Sequence, residues 1–215
     1  MKKSEATREK ILEAALRLFR KRGFEKTTMR DVAKAAGVAV GAAYYYFPSK
    51  EAVVLAYYER TQDAHAALSR EGMKRARSVE GRLRAVLHAK IDTLEHDRKL
   101  LSALFRSIGD PASELSVFGP RTRRVRDESI ALFDEALAQE DLPADSKRTL
   151  ALAFWSLSMG LVLFFIHDES PDAKKTRLLV DRSVDVLAPM MPMASMLGPL
   201  GTQVLGVLRE VGLSE

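Results

Sequence analysis

Two groups of side chains have the types and spacing to do chemistry. The first gathers hydroxyls, phenols and an ammonium near the N-terminus: Thr27, Thr28, Tyr44, Tyr45 and Lys50. Such groups donate hydrogen bonds to phosphate oxygens. The first 50 residues hold 12 Lys/Arg against 5 Asp/Glu, whereas the remaining 165 hold 22 against 24. The positive charge is therefore concentrated in one quarter of the chain, as in a phosphate-binding module. By charge alone, a solvated basic face would look the same. The second group is His88, Asp92 and His96, four residues apart. On one helix this spacing holds a metal between turns, but it more often marks a polar helix face or the polar rim of a pocket. We expect no metal here.

Enzyme chemistry finds little support. There is no cysteine, which excludes disulfides and thiolate sites and fits a reducing cytoplasm. No serine lies in a Gly-x-Ser-x-Gly setting and no glycine loop could cradle a phosphate. His65, His88, His96 and His167 are scattered without a carboxylate-histidine-nucleophile set. The expectation is a protein with neither enzymatic activity nor cofactor.

The elements that must position the first group are helical. Apolar residues recur at three- and four-residue steps and strand alternation is absent, so the fold class is all-α. A helix is predicted from about Thr7 to Arg22, with Ile11, Ala14, Ala15, Leu18 and Phe19 on one face and Gly23 as the stop. Thr28 with Asp31 three residues on resembles a capping box opening a second helix that Gly37 ends. A third short helix follows to Phe47, where Pro48 breaks it, and Ser49 caps a long fourth helix to about Met73. Further helices are predicted over residues 79–95, 98–107, from Pro120 to about 139, 150–166 and 172–187. Residues 189–201 read as a linker and 202–211 as an amphipathic tail helix. The 17-residue apolar stretch from Leu150 to Ile166 is at the short limit for a membrane span and is interrupted by Ser156, Ser158 and Gly160. It reads as a buried bundle helix, and with no secretory signal at the N-terminus the expectation is a cytoplasmic protein without a membrane partner.

Two short helices joined by a glycine turn and braced by an apolar helix are the parts of a helix-turn-helix, whose second helix enters the DNA major groove. The stretch from Thr27 to Glu51 resembles the DNA-binding domain of the tetracycline-repressor (TetR) family. The Ala-Ala-Gly-Val turn at residues 35–38 and the Tyr-Tyr-x-Phe-Pro-Ser-Lys run at residues 44–50 carry the likeness, which extends over about Thr7 to Tyr58. The resemblance implies a three-helix DNA-binding domain over residues 1–48 and a helical-bundle ligand-binding and dimerisation domain over 49–215. It implies that Thr27, Thr28 and Lys50 meet phosphate, and that Val40, Gly41, Ala42 and Tyr45 face the groove with Met29 or Arg30 of the second helix, Tyr44 packing or touching phosphate. The chain departs from the family pattern in having Ala39, Ala42 and Ala43 where serine, threonine or leucine is common. Base reading then rests on methyl contacts with thymine, Tyr45 and Arg30.

The family's last two main helices pair with their copies, so a homodimer on a near-palindromic double-stranded operator is implied. In the helix over 150–166, Phe154, Ser158, Leu161 and Phe165 form one stripe and Leu152, Trp155, Met159 and Leu163 another. Either stripe could face the partner. A small apolar ligand would lie among the middle helices, against Leu87, Ile91, Leu101, Leu104, Phe105, Phe118, Phe133, Trp155 and Met159, with His88, Asp92 or Arg106 as polar contacts. Packing a solid core is the plainer role for each apolar residue. The function implied is a repressor released by that ligand; the alternative left open is an architectural or protein-regulated DNA binder without an inducer.

Overall fold

The computed structural model describes residues 3–110 and 112–196, with 203, 206 and 207 beyond them. All regular structure among the described residues is helical, as composition and periodicity require. The helices are α1 (Lys3–Arg22), α2 (Met29–Ala36), α3 (Val40–Tyr46), α4 (Lys50–Arg75), α5 (Val79–Leu94), α6 (Arg98–Gly109), α7 (Arg123–Leu137), α8 (Ala144–His167), α9 (Lys174–Leu187) and α10 (Met191–Met196).

They form two compact units. The first runs to Thr61 and adds His96–Val125; the second takes Gln62–Glu95 and the described residues from Arg126 on. The long α4 contributes to both. In the first unit Ile11, Leu12, Ala15 and Phe19 of α1, Val32 and Ala33 of α2, Ala43 of α3, Phe47, and Val53, Val54 and Tyr57 of α4 make one core. Leu100 and Leu104 of α6 and Leu115 of the following loop complete it. A three-helix unit of this size has little apolar surface to bury alone, and α6 adds to it.

Local signals set the short helices. Thr28 accepts from Asp31 N at 3.2 Å and the Asp31 carboxylate accepts from Thr28 N at 3.0 Å, which closes the capping box at the start of α2. The Thr28 hydroxyl and backbone N–H hold the Asp31 carboxyl below the usual carboxylate range. Gly37 ends α2 at φ +62°, where its N–H reaches Ala33 O and Lys34 O. This left-handed conformation is cheap only for glycine. Ser49 accepts from Ala52 N at 3.1 Å and starts α4.

In the second unit α5 packs on α8 and α9, and α8 packs on α9. The core holds Leu83, Leu87 and Ile91 of α5, Ile130 and Phe133 of α7, Phe154, Trp155 and Phe165 of α8, and Val180 and Val184 of α9. Phe133 and Phe154 stack with centroids 6.2 Å apart. Two boundaries differ from expectation. Helix α8 begins at Ala144 rather than Leu150, because the polar segment after Pro143 has no helix breaker and carries Asp145 in its first turn. The expected linker is helical in its first part: Ala188–Met190 form a 3-10 turn leading into α10. Pro189 and Pro192 sit in first turns, where the missing N–H costs nothing. Residues 197–201 and the predicted tail helix lie outside the described residues, apart from 203, 206 and 207.

Candidate nucleic-acid interface and the helical core

Helix α3 is seven residues long and buries only Ala43. Its remaining surface is open: Val40, Gly41, Tyr44 and Tyr45 are exposed and Ala42 half-buried. Tyr45 is 81% exposed and stands edge-on to Tyr46 at 5.2 Å. An aromatic side chain left this open on a basic unit lacks a folding role. A Cβ at Gly41 would meet nothing within 4 Å, so the glycine there is not demanded by packing within the chain. Arg30 and Thr28 on α2 are exposed as well. Lys50 is held at the start of α4, its Nζ 3.3 Å from Phe24 O, 3.5 Å from Glu25 and 4.2 Å from the centre of the Phe24 ring.

Thr27 differs from expectation. It is buried and its hydroxyl donates to Gly23 O at 2.9 Å. Its one hydroxyl proton is thus committed to the turn after α1; Thr28 is exposed, and its own hydroxyl donates to Asp31 Oδ2 at 2.6 Å.

The residues assigned to ligand walls are divided between the two units. Leu101, Leu104, Phe105 and Phe118 belong to the first unit. There Leu104 completes the core, while Phe105 and Phe118 are exposed. Leu87, His88, Ile91, Asp92, Phe133, Trp155 and Met159 belong to the second unit. Leu87, Ile91, Phe133 and Trp155 are buried and Met159 half-buried. The polar members are already engaged with α9. His88 Nε2 lies 2.8 Å from Asp181, Asp92 accepts from Arg177 at 2.6 Å, and Arg84 pairs with Asp185 and Asp181. Residues 84, 88 and 92 thus face residues 177, 181 and 185 as a charge ladder of matching four-residue period. His96 lies in a 3-10 turn over Glu95–Asp97, after α5 has ended, so the three do not share a helix. Among the described residues no group of His, Asp and Glu has the arrangement of a metal site. The Arg106 side chain lies outside the described set.

The sequence model for bacterial regulatory proteins of the tetR family matches residues 11–57, and that for the tetracyclin repressor-like C-terminal domain matches residues 82–203. The second match alone covers more than half of the chain. The chain belongs to the TetR family. It is 34% identical over 124 residues to the transcriptional regulator TtgR of Pseudomonas putida, an alignment covering 58% of this chain and 49% of TtgR. The chain thus spans about half the length of that relative and of the P. putida regulator ArpR. The transcriptional activator FasR of Mycolicibacterium smegmatis is 26% identical over 164 residues, 76% of this chain and 74% of FasR. In fold the chain is similar to the fatty acid degradation regulator FadR of Bacillus halodurans, with a TM-score of 0.67, 22% identity, and coverage of 83% of this chain and 94% of that one.

In this TetR-family chain the first apolar stripe read from α8 turns inward, while the second is split, with Met159 half-buried and Leu163 exposed. Phe154, Ser158, Leu161 and Phe165 are buried, as are Leu152 and Trp155. A third stripe is exposed: Ala153, Ser156, Gly160, Leu163, Phe164 and His167. Leu178, Leu179, Val186 and Leu187 of α9 are exposed too, as are Met190 and Met193 beyond it. An apolar crevice of about 150 Å³ lies between Leu150, Ala153, Phe154, Leu187, Met190 and Met191. Helix α8 is long and apolar enough to cross a membrane by length and composition.

Sequence reasoning passed over a polar group in the second unit: Gln62 and His65 of α4, Lys90 of α5 and Ser129 of α7. The signal was legible. Val86, Lys90 and Leu94 stand four apart, which puts a lysine on the apolar stripe of α5. Burial pushes the Lys90 ammonium down to about 8 from its ordinary 10.5. The folded chain therefore releases this proton before the unfolded chain does. Between pH 8 and 10.5 the unfolded state binds more protons, so stability rises with pH across that window. Lys90→Met should remove this rise, read as the difference between the two proteins' urea midpoints at pH 7 and pH 10. Parallel midpoints would show that Lys90 is not desolvated by folding.

Proposed function

We propose that this chain is a cytoplasmic one-component transcriptional repressor without enzymatic activity. In this reading residues 1–48 bind a near-palindromic double-stranded operator, and residues 49–215 dimerise and take up a small apolar ligand that releases the DNA. The observation that carries the reading is the open surface of α3. Val40, Gly41, Tyr44 and Tyr45 are exposed beside Arg30 and Thr28, within a segment of 12 basic against 5 acidic residues. Thr28, Tyr44 and Lys50 would hold phosphates, while Val40, Gly41, Ala42, Tyr45 and Arg30 would meet base edges. The exposed stripe of α8 and the apolar face of α9 are the surface for a second copy, which also accounts for α8 without a bilayer. Ligand and DNA then oppose each other. A coupling of about 1–3 kcal/mol would change operator affinity about 5–150-fold, and DNA must weaken the ligand by the same factor.

Salt titration separates the contacts. Lys50→Ala should weaken binding to every duplex and reduce the slope of log affinity against log salt by about 0.9, the equivalent of one phosphate. Tyr45→Ala should cost about 1–3 kcal/mol on the operator and far less on random DNA. An unchanged slope removes Lys50 from the phosphate set, and equal losses on both duplexes remove Tyr45 from base reading.

A further inference from the structure

Gln62, His65, Lys90 and Ser129 cannot satisfy one another's hydrogen bonds, and no carboxylate answers the Lys90 ammonium. Gln62 is 3% exposed and His65 fully buried. His65 Nε2 lies 3.0 Å from Val86 O. A carbonyl only accepts, so Nε2 carries the proton; burial, then the nearby Lys90 charge, push the ring down to about 2 and keep it neutral. His65 Nδ1 is therefore an acceptor, and it faces Gln62 Oε1, a second acceptor, at 3.4 Å. As placed, Gln62 Oε1 also stands 3.5 Å from Lys90 Nζ, and Gln62 Nε2 has no partner. Turning the amide over gives His65 a donor but takes the oxygen away from Lys90. Lys90 is then left with Ser129 Oγ, 3.4 Å away. In either orientation a cationic group and amide or hydroxyl donors converge with no carboxylate among them. Elsewhere in the same unit buried or half-buried cations have one: Arg82 has Glu140 and Arg177 has Asp92.

We infer that Lys90, with Gln62 and Ser129, anchors the carboxylate of the regulatory ligand, which is an amphiphilic anion rather than a neutral apolar compound. Two carboxylate oxygens accept from the Lys90 ammonium and from the Gln62 amide or Ser129 hydroxyl, and supply the missing negative charge. The apolar part of the ligand would lie against Leu87 and Ile91, on the same turns of α5, and against Phe133, one turn from Ser129 on α7. This inference rests on the sensor reading above and names the chemistry its ligand needs.

The test is calorimetric titration of the full-length protein with decanoate, methyl decanoate and decanol, and with naphthoate and methyl naphthoate, together with operator release by each. Carboxylates are expected to bind at least about tenfold more tightly than their esters, a preference of the size one charged hydrogen-bonded pair gives. Lys90→Met should abolish that preference while leaving ester affinity within about threefold, the scatter expected of a volume-conserving change. Should Lys90→Met not fold, Gln62→Leu in the same assay should reduce the preference by several-fold. Esters that bind as well as carboxylates, or a preference that survives both substitutions, overturn the carboxylate anchor alone. If esters bind and release the operator, the sensor reading stands without the anchor. If no member of the series binds or releases DNA, both fall.

Discussion

Phe164→Glu is expected to make the protein monomeric and to weaken operator binding by two or more orders of magnitude, while the subunit stays folded. Phe164 is 43% exposed on the outer stripe of α8, whereas its neighbour Phe165 is 0% exposed. A two-fold interface presents the same patch twice. The substitution therefore puts two carboxylates into an apolar seam without a partner, at several kcal/mol each. A monomer holds one half-site and loses the advantage of linked binding, which is on the order of 10²–10⁴. Phe165→Glu should behave differently. It removes a core phenylalanine, about 3–5 kcal/mol by itself, and buries a charge as well, so the chain should fail to fold. Sedimentation at micromolar concentration, with anisotropy on operator DNA, separates these outcomes. A Phe164→Glu protein that remains dimeric would move the interface off this stripe.

Arg82→Ala should destabilise the helical domain by about 2–4 kcal/mol, a large share of a total near 5–15 kcal/mol. Arg82 is 6% exposed. Its Nε donates to Ala136 O at 2.7 Å, its Nη1 to Gln139 at 3.1 Å and its Nη2 to Glu140 at 2.6 Å. It thus ties the start of α5 to the end of α7 and satisfies one carbonyl, Ala136 O, that the helix terminus leaves open. Alanine leaves Ala136 O and the Glu140 carboxylate without these donors. Arg82→Lys should recover only part of the loss, since a single ammonium cannot reproduce the three-way fork. Urea unfolding reads both variants. A loss under about 1 kcal/mol would show that water replaces the guanidinium readily.

The DNA-binding helices were legible because their signals are local. Thr28 and Asp31 are three residues apart, Gly37 closes the same helix, and Pro48 and Ser49 meet at the next boundary. Each acts through the backbone within a turn of itself, so spacing is sufficient. The long-range partnerships were not legible. His88 meets Asp181 and Asp92 meets Arg177 across more than 80 residues of sequence. No local rule says whether a half-polar face meets water, a ligand or another helix. For the same reason spacing left Leu104 open between pocket wall and plain core; it packs in the core with α1. The burial of Thr27 turned on a finer point: a hydroxyl has one proton, and the carbonyl that takes it lies only four residues away at Gly23. Lys90 was the missed opportunity, because its place on an apolar stripe could be read from spacing alone.

Sequence-specific binding is tested most directly by selecting duplexes from a random-sequence DNA pool with the full-length protein, then measuring affinity for the recovered sequence and for a scrambled one at the same salt. The expected result is a near-palindromic site with two half-sites, bound by a dimer and preferred over scrambled DNA by about 10³-fold or more. Recovery of no common sequence, with equal affinity for both duplexes, would contradict a sequence-specific regulator and leave a basic surface that holds DNA by charge alone.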